Sequence, residues 1–178
     1  MLTAGVGHGR KGHEMSDGII VARHDFPVIE LAPVTVDFSQ TIEQMVAGLA
    51  NTNPGITSAH FPDCRDGREG REEAALVLAK PLHDREHMPR DVVLARLEGT
   101  GFQPAGLPYL AALKPHADEL LAAGVHYLNA GAANSIWPGP DGGYAVYFLL
   151  NAEDRGFELH WLEGDWGGQV WWLCHRAP

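Results

Sequence analysis

The chain has 178 residues, of which 45% are apolar and 20% are charged, so its composition is that of a folded domain and excludes a disordered one. Its formal net charge is −10 and its isoelectric point is near 5.3. This acidic balance disfavours nucleic acid and anionic membranes as partners, because both attract clustered Lys and Arg, and no apolar run reaches the roughly 20 residues of a membrane span.

The N-terminal 14 residues are rich in Gly and His and show no periodicity. Lys11-Gly12 can be encoded by a purine-rich sequence at ribosome-binding distance before Met15. We therefore expect translation to start at Met15, with Met1 as the alternative, and residues 1–14 to be a disordered leader whose histidines bind no metal. Because an apolar signal-peptide core is lacking, we expect a cytoplasmic protein in which residues 15–178 form a single domain.

The first half of the chain predicts short elements. Extended segments are expected at residues 19–22 and 28–38, with prolines that restrict them to sheet edges or strand ends. Ser39 is expected to cap a helix whose apolar residues recur at spacings of three and four. These residues are Ile42, Met45, Val46 and Leu49. A further strand is expected over residues 74–82.

The second half predicts three more helices and then four strands. The helices are expected at residues 89–97, 104–113 and 116–123. The strands are runs rich in aromatic and β-branched residues between turn signals, namely residues 125–128, 144–150, 157–162 and 169–175. This order predicts the α+β class, with a mainly antiparallel sheet, a C-terminal four-strand meander and three to four short helices.

The C-terminal strands and the loops between them contain four of the five tryptophans, so we expect much of the core there. If the last two strands pair as a hairpin around Trp166, His160 lies opposite Trp171. Trp161 and Trp172 are expected in the core.

The two cysteines, Cys64 and Cys174, give neither a disulfide framework nor a Cys-x-x-Cys metal pair. A bridge between them is one alternative. The preferred interpretation is two free thiols, with Cys174 as a small buried strand residue.

Several short patterns resemble, in the same order, those of an uncharacterised family of bacterial hypothetical proteins. They are Val36-Asp37-Phe38-Ser39 with Met45, Asn53, Ile56-Thr57-Ser58, Phe61-Pro62, Gly101-Phe102-Gln103-Pro104-Ala105, Leu159-His160-Trp161, Trp166 and Trp172-Leu173-Cys174-His175-Arg176. The chain departs from the family at two places. The family has Arg where this chain has Gln103, and it has Ala-Leu-Gly-Ser where this chain has Asn129-Ala130-Gly131-Ala132. The resemblance implies a fold pattern and no activity. The order of elements is also similar to that of C-type-lectin-like domains of the formylglycine-generating-enzyme type.

One pattern, residues 83–87, matches the H-x-x-E-H motif in which two histidines, here His83 and His87, bind zinc. That chemistry needs a long helix, so that both imidazoles lie on one face. Pro81 and Pro89 leave no room for such a helix. The two histidines therefore remain weak metal candidates, and we expect neither a metal nor another cofactor.

The Gly-flanked loop around Trp166 is the candidate binding site, because loop tryptophans with nearby carboxylates suit stacking on sugars or holding a partner. The predicted ligand-binding residues are Trp166, Asp165, Glu163 and His160. The alternative is that Trp166 folds back over the core.

The sequence thus favours a non-catalytic binding protein whose partner is an unidentified protein or small molecule, and it leaves the oligomeric state open. One alternative is a small hydrolase that uses either His83 and His87 with a metal or the carboxylates of Glu158, Glu163 and Asp165. Another is a regulatory protein whose acidic surface docks a basic partner.

Overall fold

The structure, a computed structural model, describes residues 20–23 and 25–177, so the predicted leader and Met15 lie outside the described residues. The strands are β1 (Ile20–Arg23), β2 (Pro27–Glu30), β3 (Val34–Asp37), β4 (Arg71–Ala74), β5 (Val77–Ala79), β6 (His87–Met88), β7 (Phe102–Pro104), β8 (Tyr127–Ala130), β9 (Ile136–Gly139), β10 (Gly142–Leu150), β11 (Arg155–Trp161), β12 (Trp166–Gly167) and β13 (Val170–Arg176). The α-helices are α1 (Ile42–Val46), α2 (Arg90–Gly99), α3 (Leu107–Ala112) and α4 (Ala117–Ala122). The α+β class is confirmed.

The main sheet has the strand order β1-β2-β5-β13-β8-β10-β11. All of its neighbouring strands are antiparallel except β13 and β8, which are parallel. Strand β7 also pairs with β13, and β9 also pairs with β10. Two small ribbons, β3-β4 and β6-β12, lie outside this sheet. In the part of the chain that the structure describes, no helix is long and apolar enough to cross a membrane.

The prediction that the last two strands form a hairpin is wrong. Of the four strands expected in the C-terminal meander, only β8, β10 and β11 pair in this way. After β11 the chain leaves the main sheet, pairs Trp166 with Met88 in the β6-β12 ribbon, and returns as β13 between β5 and β8. His160 therefore lies opposite Ala145 and not opposite Trp171. The physical reason is burial: residues 171–174 are all buried, and a strand covered on both faces belongs in the middle of a sheet.

The main sheet separates two cores. On its first face, residues such as Leu128, Phe148 and Leu173 pack against α1, α3 and α4. On its second face, Trp172 and Cys174 pack against Val93 and Leu97 of α2 and against Trp166. Alternation along a strand assigns neighbouring residues to opposite faces, and β2, β5, β10 and β13 contribute side chains to both cores.

The first helix is capped by Thr41 and not by Ser39. The hydroxyl of Thr41 accepts from the Gln44 amide and the Gln44 side chain accepts from the Thr41 amide, which is a capping box. Ser39 instead donates to the carboxylate of Asp37, the last residue of β3. The helix ends at Val46, so Leu49 lies beyond it.

Other boundaries also differ from the prediction. Pro104 ends strand β7 and pairs with Cys174, and α3 begins only at Leu107. The strand expected over residues 74–82 is divided, because Ala74 ends a strand of the β3-β4 ribbon while β5 belongs to the main sheet. Cys64 and Cys174 are free and buried, in agreement with the preferred interpretation of two free thiols. Trp161, expected in the core, is 48% exposed at the end of β11, although Phe157 of the same strand is buried.

Candidate functional site

The second face of the main sheet is covered over only part of its width. Helix α2 and the ribbon β6-β12 cover it around Trp172, whereas β8, β10 and β11 present Tyr127, Tyr147 and His160 on the same face. These three residues line a cleft of about 290 Å³ together with Trp166. We call this space the aromatic cleft.

The rings of the aromatic cleft form a continuous series of contacts. The ring centroids of Tyr127 and Tyr147 are 6.4 Å apart, and those of Tyr147 and His160 are 6.0 Å apart in an edge-to-face arrangement. The His160 ring is 4.3 Å from the Trp166 ring, which in turn is 4.9 Å from the Trp172 ring. Such walls provide large, stiff surfaces on which a ring can stack.

Trp166 is held over Trp172 by its own loop. It pairs with Met88 in the β6-β12 ribbon, and the Gly168 amide donates to the Glu86 carbonyl at 2.9 Å. At Gly168 the two segments cross so closely that an added Cβ would lie 1.7 Å from the His83 carbonyl oxygen. A glycine at this position is therefore required for Trp166 to reach its place, and the indole is only 1% exposed.

Burial favours the uncharged form of two aromatic groups of the cleft, His160 and Tyr147. Burial lowers the pKa of His160, which favours its uncharged form. Burial raises the pKa of Tyr147, and the nearby Glu158 carboxylate adds to that effect. At the mouth of the cleft, the ammonium of Lys80 forms an ion pair with Asp84 and lowers the pKa of that carboxyl.

The aromatic cleft adjoins a second depression of about 480 Å³, which shares Asp84, Tyr127 and Gln169 with it. A ligand in the cleft could therefore extend past Tyr127 towards Lys80, which also lines the second depression.

Two of the four predicted ligand-binding residues, Trp166 and His160, come together in the aromatic cleft. Glu163 is exposed and accepts a hydrogen bond of 3.0 Å from the Gly143 amide. Asp165 is exposed in the loop that precedes Trp166.

The H-x-x-E-H segment forms a turn followed by strand β6, and not a helix. The Glu86 carboxylate accepts from the His83 amide at 2.9 Å and from the Arg96 guanidinium at 3.1 Å. These contacts, the His83 amide first, lower the pKa of Glu86, and both are made to its Oε2. His87 faces Gly167 and lines the aromatic cleft. Within residues 25–177, no group of three His, Cys, Asp or Glu residues is arranged to hold a metal ion.

Neither thiol has the properties of a nucleophile. Burial raises the pKa of Cys64 to about 11 and that of Cys174 further, so both stay protonated near pH 7.

No family model, no curated protein and no solved structure matches this chain.

Sequence reasoning missed Tyr127 and Tyr147 as members of the site. A signal was present, because alternation along the predicted strand of residues 144–150 separates Tyr147 from Tyr144, Val146 and Phe148. What alternation does not give is the neighbouring strand, and it is the pairing of β10 with both β8 and β11 that assembles the cleft.

Proposed function

We propose that the protein binds a small, ring-containing molecule in the aromatic cleft and does not convert it. The observation that carries this proposal is the uncovered part of the second sheet face, where Tyr127, Tyr147 and His160 line a cleft beside the buried Trp166. Concave, mostly apolar sites with a few polar groups are the usual form of small-molecule sites.

The lack of positive charge in the cleft favours a ligand recognised through a ring and disfavours one recognised through a polyphosphate group. The described residues that line it include no Lys or Arg, and its imidazole at His160 is kept neutral by burial. Lys80, in the adjoining depression, is already paired with Asp84. Phosphates are held by clustered cations and oriented amides, which this lining does not offer.

Tyr147 provides a sharp test, because Tyr144 on the same strand is a matched control. Tyr147 lines the cleft, whereas Tyr144 lies on the opposite face and contacts Trp137 at 5.3 Å between ring centroids. We would screen single-ring acids, amides, alcohols and sugars by thermal denaturation of the wild-type protein, Tyr147→Leu and Tyr144→Leu.

A ligand present at tenfold its Kd stabilises the folded state by ~1.4 kcal/mol, which is a rise in Tm of roughly 3–6 °C for a domain of this size. We expect at least one compound class to give this rise in the wild type and in Tyr144→Leu and to lose it in Tyr147→Leu. The proposal is wrong if no class raises Tm, or if Tyr147→Leu responds as the wild type does.

A further inference from the structure

Asn129 is a fully buried amide with no hydrogen-bond partner for either its Nδ2 or its Oδ1 among the described residues. It lies on β8, directly across from Tyr147 of β10 on one side and Trp172 of β13 on the other. Directly paired residues present their side chains on the same face of a sheet. Asn129 is therefore on the second face, between a residue that lines the aromatic cleft and the indole beneath Trp166.

Two further buried donors lack a hydrogen-bond partner among the described residues. They are Nε1 of Trp166 and Nε of Arg90, both buried. The Arg90 Nη2 donates to the Gly131 carbonyl at 3.1 Å, and a methyl group on Gly131 would lie 3.1 Å from Asn129 Nδ2. That methyl group would also lie 2.4 Å from the Trp172 ring, so the ring lies against Gly131. Asn129 and Arg90 thus both lie beside Gly131, and the Trp166 ring packs against the Trp172 ring.

Such a group of atoms lowers stability unless something else binds to it, because a buried polar group without a partner loses its hydration for no gain. Ser135 shows the ordinary solution in the same protein. It is equally buried, but its Oγ accepts a hydrogen bond of 2.8 Å from the Leu107 amide. Asn129 is therefore better explained by a ligand than by the stability of the fold.

We propose that Asn129, Arg90 and Trp166 form a polar inner end of the aromatic cleft that binds the carboxylate of a ring-containing acid. This inference rests on the proposed function and names the class of ligand. Guanidinium and indole groups only donate hydrogen bonds, and the amide of Asn129 adds a donor of its own. None of the ion pairs in the described part of the chain includes Arg90, so its charge is left for the ligand.

Access requires movement of Trp166. Asn129 is closed off from solvent, and the Trp166 ring lies between the His160 ring that lines the cleft and the Trp172 ring beside Asn129. Strand β12 contains only two residues and pairs only with β6 within the described residues, so the ribbon that holds Trp166 can shift without breaking the main sheet. Trp166 thus acts as the cover of the inner end.

The test uses benzoate and benzyl alcohol, which share a ring and differ in the carboxylate. Each is titrated to about 10 mM, tenfold above a 1 mM Kd, while the ¹H–¹⁵N signals of the Trp166 indole and the Asn129 amide are followed. We expect benzoate to bind at least tenfold more tightly than benzyl alcohol and to shift both signals. Asn129→Leu should reduce benzoate affinity about tenfold and leave that of benzyl alcohol unchanged.

The Tm of Asn129→Leu, measured without ligand, also distinguishes a ligand-binding side chain from a structural one. Asn129→Leu should raise Tm by about 2 °C or more, because an unpaired amide is removed, whereas the control Ser135→Ala should lower it.

If benzyl alcohol and benzoate shift the backbone signals of Tyr147 and His160 equally and Asn129→Leu changes neither affinity, the inner end is wrong and the proposed function stands. If neither compound shifts any signal of the cleft, the inner end is wrong, and the wider thermal screen of ring compounds decides the proposed function. A fall in Tm for Asn129→Leu would show a structural role and overturn the inference.

Discussion

The imidazole of His160 lies against the indole of Trp166, with ring centroids 4.3 Å apart and planes inclined by 51°. One residue belongs to the edge strand β11 and the other to the small ribbon β6-β12, so this contact joins the ribbon to the main sheet. The Trp166 indole is thus part of the packing around His160, whose burial lowers the pKa of its imidazole.

Replacing Trp166 with Ala should reduce the free energy of unfolding by about 3–5 kcal/mol, because the indole is 1% exposed and packs on both His160 and Trp172. Urea denaturation measures this change. The matched control is Trp161→Ala, which should lose less, about 1–2 kcal/mol, because Trp161 is 48% exposed. Equal losses in the two variants would contradict the placement of Trp166.

Gly168→Ala should be destabilising by about 1–3 kcal/mol, because the new Cβ would overlap the His83 carbonyl, which is backbone and cannot rotate away. Gly99, the last residue of α2, has no atom within 4 Å of an added Cβ, so Gly99→Ala should instead stabilise the protein by about 0.5–1 kcal/mol. Thermal denaturation of the pair compares the two. A neutral Gly168→Ala would mean that the two segments do not cross as described.

Stability should fall with acid in two stages. Burial lowers the pKa of His160 and of His175 below the ordinary value of 6.5, so the unfolded chain binds more protons than the folded protein as pH falls below about 6.5, and stability declines there. Hydrogen bonds from Ser39 and Ser58 lower the pKa values of Asp37 and Glu43 to about 2, so a second decline follows between about pH 4.5 and 2.

Urea unfolding measured from pH 8 to pH 2 checks both stages. His160→Gln should flatten the first stage in part, since His175 still titrates, and should leave the second unchanged. A first stage that is identical in His160→Gln and the wild type would show that burial does not perturb His160.

Zinc should not raise the Tm of the wild-type protein, because the H-x-x-E-H segment is a turn and the Glu86 carboxylate is taken by Arg96 and the His83 amide. The measurement is a thermal scan with added zinc and, in parallel, with EDTA. A rise in Tm with zinc that His83→Ala abolishes would instead support a metal-dependent hydrolase.

The fold class, the C-terminal strands and most helix positions were predictable from local patterns. The capping box is also visible in the sequence, because Thr41 and Gln44 have its spacing. The prediction of Ser39 as the N-cap overlooks that spacing. The continuous burial of residues 171–174 was a further signal, since such runs belong to central strands. Turn signals between β11 and β13 outweighed it and suggested a hairpin.

The cleft was only half predictable, for a physical reason. Trp166 and His160 are six residues apart, and their loop is recognisable in the sequence. Tyr127 and Asn129 join them through the pairing of β8 with β10 and β13, which connects residues distant along the chain. The lack of partners for Asn129 is likewise a property of the packed structure and not of any pattern.

The most direct test of the aromatic cleft is a native mass spectrum of the protein purified from its own host, recorded for the wild type, Tyr147→Leu and Tyr144→Leu. We expect a small organic molecule to accompany the wild type and Tyr144→Leu. It should be lost from Tyr147→Leu, because Tyr147 lines the cleft and Tyr144 does not. A bare chain, or a bound molecule that Tyr147→Leu retains, would contradict the account.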